Sequence, residues 1–323
     1  VMEFGSRRAQ GPDAALLGAR AAYIAGCAGT ACTQADQLFG TPAMGTMAHS
    51  WVQMFPDELT AFRTYCKLYP HNATLLVDTY NVLHSGVPNA IRVFKELGIT
   101  QCAIRLDSGD LAYLSRKARK MLDEAGLTEC KITASNSLDE YIIRDLLLQG
   151  AQLDSFGVGE RLITSRSAPV FGGVYKLVAV EDGEGRVIPK IKISENPAKI
   201  TTPHFKKVWR LYDRTDGKAF ADLLTVYDET VDDTQPLKLF DPDATWKKST
   251  FTNFRAEELL RPIFLGGRLV YEKPAIEDIR AYCQKQLELQ WDEVKRFENP
   301  HNYYVDLSQR LWDLKQELLQ RQG

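Results

Sequence analysis

Ala103-Ile104-Arg105-Leu106-Asp107-Ser108-Gly109-Asp110 is the stretch on which the reading of this chain turns. A short β-compatible run carries an arginine, then meets a carboxylate, a hydroxyl, a glycine and a second carboxylate, and a helical pattern opens at Leu111. A strand that stops on charged and flexible residues just before a helix presents those groups at its carboxyl end. In α/β barrels and open parallel sheets ligands bind there. Arg105 offers a planar fork for a carboxylate or phosphate, and Ser108 and Gly109 let the backbone approach a ligand. A second reading is structural: Asp107 or Asp110 caps the following helix.

The same unit recurs on both sides. A helical pattern over 58–68 leads to a strand at 75–77 that ends on Asp78-Thr79-Tyr80-Asn81. A helix over 87–97 precedes the strand 102–105, and one over 111–125 follows it. The strand 131–134 ends on Ser135-Asn136-Ser137, a helix spans 138–148, and the strand 153–156 ends on Gly157-Val158-Gly159-Glu160-Arg161. Four strand–helix units in succession predict a parallel sheet with right-handed crossovers, closed or nearly closed into a barrel. One polar strand end says little; four together describe a rim that binds something. Gly157-Val158-Gly159 suits a phosphate nest. It is not a G-x-G-x-x-G motif, and no acidic residue stands at the ribose-binding offset, so a dinucleotide fold is not indicated.

Upstream, Phe4-Gly5-Ser6-Arg7-Arg8 sets an aromatic ring and two guanidinium groups at a strand end. The alternatives are a ring that stacks on a flat ligand beside an anion-binding arginine, and a core phenylalanine beside solvated arginines. Asp13 is expected to cap a helix that runs to about Ala25. Gly45-Thr46-Met47-Ala48-His49-Ser50-Trp51 places a histidine on the first turn of a helix, able to act as acid, base or phosphoryl acceptor, or simply to be buried and hydrogen-bonded. Val1–Gly5 reads as a strand without preamble, which predicts that the chain is part of a longer protein.

After Thr164 the pattern changes. The runs 173–180 and 186–193 predict an antiparallel hairpin around an acidic, glycine-bearing turn. Residues 204–250 read as β-rich with acidic turns, and amphipathic helices are expected over 276–297 and 305–319. The expected organisation is an α/β-barrel domain over 1–200, incomplete at its amino end, and a β-rich and helical extension over 201–323. A net charge of −2 over 323 residues gives no electrostatic case for nucleic acid or an anionic membrane surface. The apolar runs are too short for a membrane span. The six scattered cysteines form no CxxC pair and read as reduced thiols of a cytoplasmic protein. No metal-ligand motif stands out.

Several strings, in collinear order over nearly the whole chain, resemble the nicotinate phosphoribosyltransferases: EFGSRRAQGPDAA, LFGTPAMGTMAHSW, RLDSGDL, SNSLDE with DSFGVGERL, GGVYKLVAV, KISENPAK and the carboxy-terminal WDEVKRFENPHNYYVDLSQRLWDLKQELL. The resemblance implies an irregular α/β barrel of the type II phosphoribosyltransferases. It also implies a homodimer with a shared active site and the joining of nicotinate to phosphoribosyl pyrophosphate with ATP as co-substrate. By position, His49 matches a phosphorylated histidine and Thr46 a nicotinate-site residue. Arg105 matches the arginine that meets the nicotinate carboxylate, and Phe4 and Arg7 match the strand end flanking the pyridine ring. Gly157, Gly159 and Thr164, with Asn136 of the neighbouring rim, fall where a phosphate is held. The chemistry agrees: displacement at a ribose C1 passes through an oxocarbenium-like state that needs a nearby carboxylate, for which Asp107 is the candidate, and cations such as Mg2+ on the leaving group. Nicotinamide-using relatives carry an aspartate after Gly-Thr where this chain has Gly40-Thr41-Pro42, and the AHSW histidine speaks against the quinolinate-using ones. A non-catalytic, shortened paralogue that binds phosphoribosyl ligands is the alternative from another class, since the family carries further residues ahead of EFGSRR.

Overall fold

The computed structural model describes residues 1–322, which fall into two units: Val1–Phe171 with Ala275–Ala281, and Gly172–Pro274 with the residues from Tyr282 onward. The boundary lies upstream of the 200/201 expected from sequence. Residues 165–178 are mostly exposed, so they carry no burial pattern from which a border could be read.

The first unit contains β1 (Met2–Glu3), α1 (Pro12–Ile24), α2 (Thr33–Phe39), α3 (His49–Gln53), α4 (Glu58–Leu68), β2 (Ala73–Leu76), α5 (Val87–Glu96), β3 (Cys102–Leu106), α6 (Leu111–Glu124), β4 (Lys131–Ser135), α7 (Glu140–Leu148), β5 (Ser155–Val158) and α8 (Glu160–Ile163). Its strands are all parallel, in the order β1-β5-β4-β3-β2. Beyond β1 the sheet continues through two single-residue parallel bridges, Glu3 with Thr30 and Thr30 with Ala43. Glu3 is fully buried and its carboxylate accepts the Thr30 hydroxyl at 2.5 Å, fastening that edge. The chain after Ala43 then passes to the far edge, where Met47 joins the apolar core and the His49 ring meets Thr79 just past β2. The result is an irregular barrel, closed by an extended segment in place of a strand pair.

Local chemistry explains the elements. Leu75, Leu76, Ile104, Leu106, Ile132 and Ala134 are fully buried, as expected for strands covered on both faces. In α5 the buried residues are Val87, Ala90, Val93 and Phe94, and in α6 Leu111, Ala112, Ser115, Ala118 and Leu122, the one-sided spacing of helices packed on a sheet. Asp57, Asp110 and Asp139 each accept a backbone N–H two to three residues into α4, α6 and α7. Each such cap stabilises its helix by roughly 1 kcal/mol. Asp13 is no cap; α1 starts at Pro12 after Gly11, and Asp13 sits in the first turn. A proline with its fixed φ and absent N–H suits that first position.

The second unit has β6 (Ala179–Glu181), β7 (Val187–Pro189), β8 (Lys206–Asp213), β9 (Ala219–Val226), β10 (Leu237–Phe240), β11 (Lys248–Phe251), β12 (Phe254–Glu258), β13 (Phe264–Leu265) and β14 (Arg268–Leu269), then α9 (Ile276–Glu288), β15 (Tyr304–Leu307) and α10 (Gln309–Gln322). The first residues of α9 group with the first unit, where Arg280 donates to the Cys27 carbonyl at 2.6 Å and stacks 4.3 Å from the Tyr23 ring centre. The main sheet runs β12-β8-β9-β15, antiparallel except for the parallel β9–β15 pair. Trp209, Leu211, Phe220, Leu223, Leu239 and Phe254 form its core. Arg210 and Asp222, opposite each other across β8 and β9, pair through two hydrogen bonds of 2.9 Å, and this holds the guanidinium firmly protonated.

Three expectations are corrected here. The hairpin is shorter than 173–180/186–193, because only Ala179–Glu181 and Val187–Pro189 pair. The helix from Ile276 stops at Glu288 and not near 297. The last helix starts at Gln309, since Tyr304–Leu307 is a strand. Leu307 and Leu311 bury in one small cluster at a spacing of four, so the sequence reads as continuous helix across the strand–helix junction.

Candidate active site

The carboxyl ends of β1, β3, β4 and β5 meet around a cavity of about 180 Å³. Arg105, the fourth residue of β3, is half-buried at its centre. Its Nε donates to Ser135 Oγ at 2.8 Å, one Nη to Thr46 Oγ1 at 2.7 Å and the other to Asp107 Oδ1 at 3.0 Å. Three of five N–H groups are thus committed, leaving two for a ligand. The Phe4 ring centre lies 5.7 Å from the guanidinium carbon. An aromatic face and an oriented guanidinium therefore border one small space.

Phe4 is seated by Gly157. A Cβ at that position would stand 2.5 Å from the Phe4 Cδ2 and 2.6 Å from its Cε2. This corrects the boundary of β5: Gly157 and Val158 are in the strand, pairing with Met2, Glu3 and Ser135, and not in a loop after it. Gly157→Ala is expected to cost about 1–3 kcal/mol through overpacking. A urea unfolding midpoint equal to that of the unsubstituted protein would show that the ring has another place to go.

Asp107 is the hub. Its Oδ1 accepts from Arg105 and from Ser135 Oγ. Its Oδ2 lies 3.6 Å from His49 Nε2, and its backbone N–H donates to Asp78 Oδ2 at 3.0 Å. Asp110, not Asp107, caps α6 through the Tyr113 N–H, which resolves the two carboxylates of the opening stretch into separate tasks. Ser108 gives its hydroxyl to Asp78 Oδ2 at 2.5 Å, and Gly109 adopts φ +78°, a left-handed turn that favours glycine.

His49, the first residue of α3, has Nδ1 3.2 Å from Thr79 Oγ1. The Thr79 contact orients the ring so that Nε2 faces the carboxylates of Asp107 and Asp78. The side chain is 40% exposed, so that nitrogen is reachable from solvent. Asp78 is the opposite case: its side chain is 1% exposed, and its Oδ1, 4.0 Å from His49 Nε2, has no hydrogen-bond partner among the described residues.

Arginines ring the cavity. Arg161 pairs with Asp139 and Arg8 lies 4.0 Å from Glu160, whereas Arg7 and Arg166 have no carboxylate partner among the described residues. Asn136 (φ +91°) and Ser137 (φ +53°) are both held in left-handed backbone at the end of β4, a local strain of the kind that gathers at binding sites. Among the predicted residues, Phe4, Arg7, Arg105, Asp107, Asn136, Gly157 and Gly159 line the cavity. Thr46 and His49 reach its members by direct contact, and Ser108 and Gly109 support the turn behind Asp107. Thr164 stands apart, with its hydroxyl turned back to the Glu160 carbonyl at 2.7 Å. Asp78, Ser135, Arg161 and Arg166 were not singled out as site residues in the sequence. The first three stand in the polar strand ends quoted above, which was the available signal.

Fold and cavity define an α/β-barrel protein with an arginine-lined cavity at the carboxyl ends of its strands. Comparison makes this particular. Residues 205–315 match the family described as nicotinate phosphoribosyltransferase C-terminal domain. The chain is 49% identical over 319 residues to the nicotinate phosphoribosyltransferase of Bacillus subtilis, covering 98% of this chain and 65% of that protein. It is 32% identical to the Homo sapiens nicotinate phosphoribosyltransferase, covering 98% of this chain and 68% of that one. The crystal structure of human nicotinic acid phosphoribosyltransferase superposes with a TM-score of 0.78 at 28% identity, over 99% of this chain and 70% of that one. The chain belongs to the nicotinate phosphoribosyltransferase family. It spans less than two thirds of the length of the Bacillus relative.

Proposed function

We propose that the protein joins nicotinate to phosphoribosyl pyrophosphate, forming nicotinate mononucleotide and pyrophosphate with ATP as co-substrate, in NAD salvage. The observation that carries this reading is Arg105: a half-buried guanidinium with two free N–H groups, locked by Thr46, Ser135 and Asp107 beside the Phe4 ring. A pyridine ring against Phe4 directs its carboxylate to that fork. The ring nitrogen forms a bond to ribose C1 as the C1–O bond to pyrophosphate breaks. The charge that develops on the sugar is met by Asp107, and the phosphates by Arg7 and Arg166.

His49 Nε2 takes the γ-phosphoryl group of ATP, releasing ADP, and the phosphohistidine is later hydrolysed. No group of three or more His, Cys, Asp or Glu side chains suited to a metal occurs among the described residues. A Mg2+ that enters with the pyrophosphate needs only one or two protein carboxylates. The orphaned Asp78 Oδ1 and the neighbouring Asp107 Oδ2 fit that requirement, and the ion would neutralise the leaving group. His49→Ala is expected to abolish the increment in turnover on adding ATP while leaving basal turnover measurable. An ATP response that survives the substitution contradicts the role given to His49.

A homodimer is supported by the exposed apolar residues Val170, Phe171, Val174 and Tyr175. A cytoplasmic location is supported by six free cysteines. No helix among the described residues is long and apolar enough to cross a membrane.

A further inference from the structure

A second cavity, of about 450 Å³, lies wholly within the second unit and takes no part in the chemistry above. Phe220 and Phe251 stack along one wall, with ring centres 4.6 Å apart and planes at 27°. Trp291 adds a further aromatic wall, and Trp246, 76% exposed, stands at the mouth. Asp306 is 5% exposed and lines the cavity. It sits on β15 opposite Leu223, a member of the apolar core, and its carboxyl has no hydrogen-bond partner among the described residues. Its carboxyl therefore opens onto the cavity and not onto a protein donor, leaving an acceptor there for whatever enters. Burial, and then the nearby Asp241, push its pKa up to about 6. Lys247 pairs with Asp241 at 3.7 Å, while Lys248, also lining the cavity, has no carboxylate partner among the described residues.

We propose that this cavity binds a nucleoside monophosphate whose base carries an exocyclic amine, the amine on Asp306, the base among the aromatic rings and the phosphate at Lys248. Volume and lining suit such a molecule: sites for small ligands are mostly apolar concavities of a few hundred Å³ with a few placed polar groups. Flat rings pack favourably on aromatic side chains, and an unpaired carboxyl at the inner end selects for N–H donors.

The test is a titration of the full protein, followed by quenching of tryptophan fluorescence, with adenosine monophosphate, inosine monophosphate and adenosine. Saturable quenching by adenosine monophosphate is expected. Inosine monophosphate, which has an oxo group in place of the amine, should bind at least 10-fold more weakly. Asp306→Asn and Trp246→Ala should each weaken the adenosine monophosphate titration by a similar factor. Trp246 is exposed, so its replacement leaves the fold in place. Lys248→Glu should weaken adenosine monophosphate and leave adenosine unchanged. Absence of saturable quenching overturns the proposal, and so does saturable binding that none of the three substitutions alters.

Discussion

Replacing Asp107 by Asn is expected to lower kcat and kcat/KM together by about two to three orders of magnitude, the range seen when one preorganised charge-stabilising group is removed from a site. The two carboxylate oxygens hold different partners: Oδ1 accepts from Arg105 and Ser135, and Oδ2 faces His49 Nε2 at 3.6 Å. An amide in its place presents an N–H to one of these neighbours and removes the negative charge in either orientation. Asn is nearly the same size, and the backbone N–H to Asp78 remains, so the turn 107–110 is kept. Steady-state rates with each substrate varied in turn separate the outcomes. A fall in kcat identifies a group that acts in the transition state. A rise in KM alone would reduce Asp107 to an anchor for Arg105.

Arg105 carries the second large effect. Arg105→Ala is expected to raise the KM for nicotinate by roughly 100-fold or more, since removing one member of a buried, hydrogen-bonded charge pair costs about 2–5 kcal/mol. Arg105→Lys keeps the charge but cannot reach Thr46, Ser135 and Asp107 from one planar fork, so it should recover only a small part of the loss. The KM for phosphoribosyl pyrophosphate should move much less. Equal increases for both substrates would place Arg105 outside the ring site.

Much of this site could be read in the chain because each strand is an apolar run that ends abruptly on polar residues. Arg105, Asp107 and Asn136 were legible on that ground. Asp78 and Ser135 stand in equivalent endings yet carry no signal that separates them from ordinary cap or turn residues; only their contacts with Asp107 do so. Gly157 reads as loop because glycine is rare inside strands, and the Phe4 ring that requires its missing side chain is far away in sequence. The closing segment from Ala43 to His49 leaves no periodicity, since it is held by one bridge and a few side-chain contacts. In the second unit, the last helix reads as starting early because leucines recur at a spacing of four across the strand–helix junction.

Selection of an aromatic acid by Arg105 beside Phe4, for transfer to a phosphoribosyl group, underlies all of these expectations. It is tested most directly by incubating the purified protein of verified mass with phosphoribosyl pyrophosphate and either nicotinate or nicotinamide, with ATP present, and quantifying mononucleotide and pyrophosphate. Equimolar nicotinate mononucleotide and pyrophosphate are expected, with nicotinamide turned over at least 100-fold less efficiently, as follows when a half-buried charged fork is left unpaired. Equal use of the two, or a preference for the amide, would contradict it.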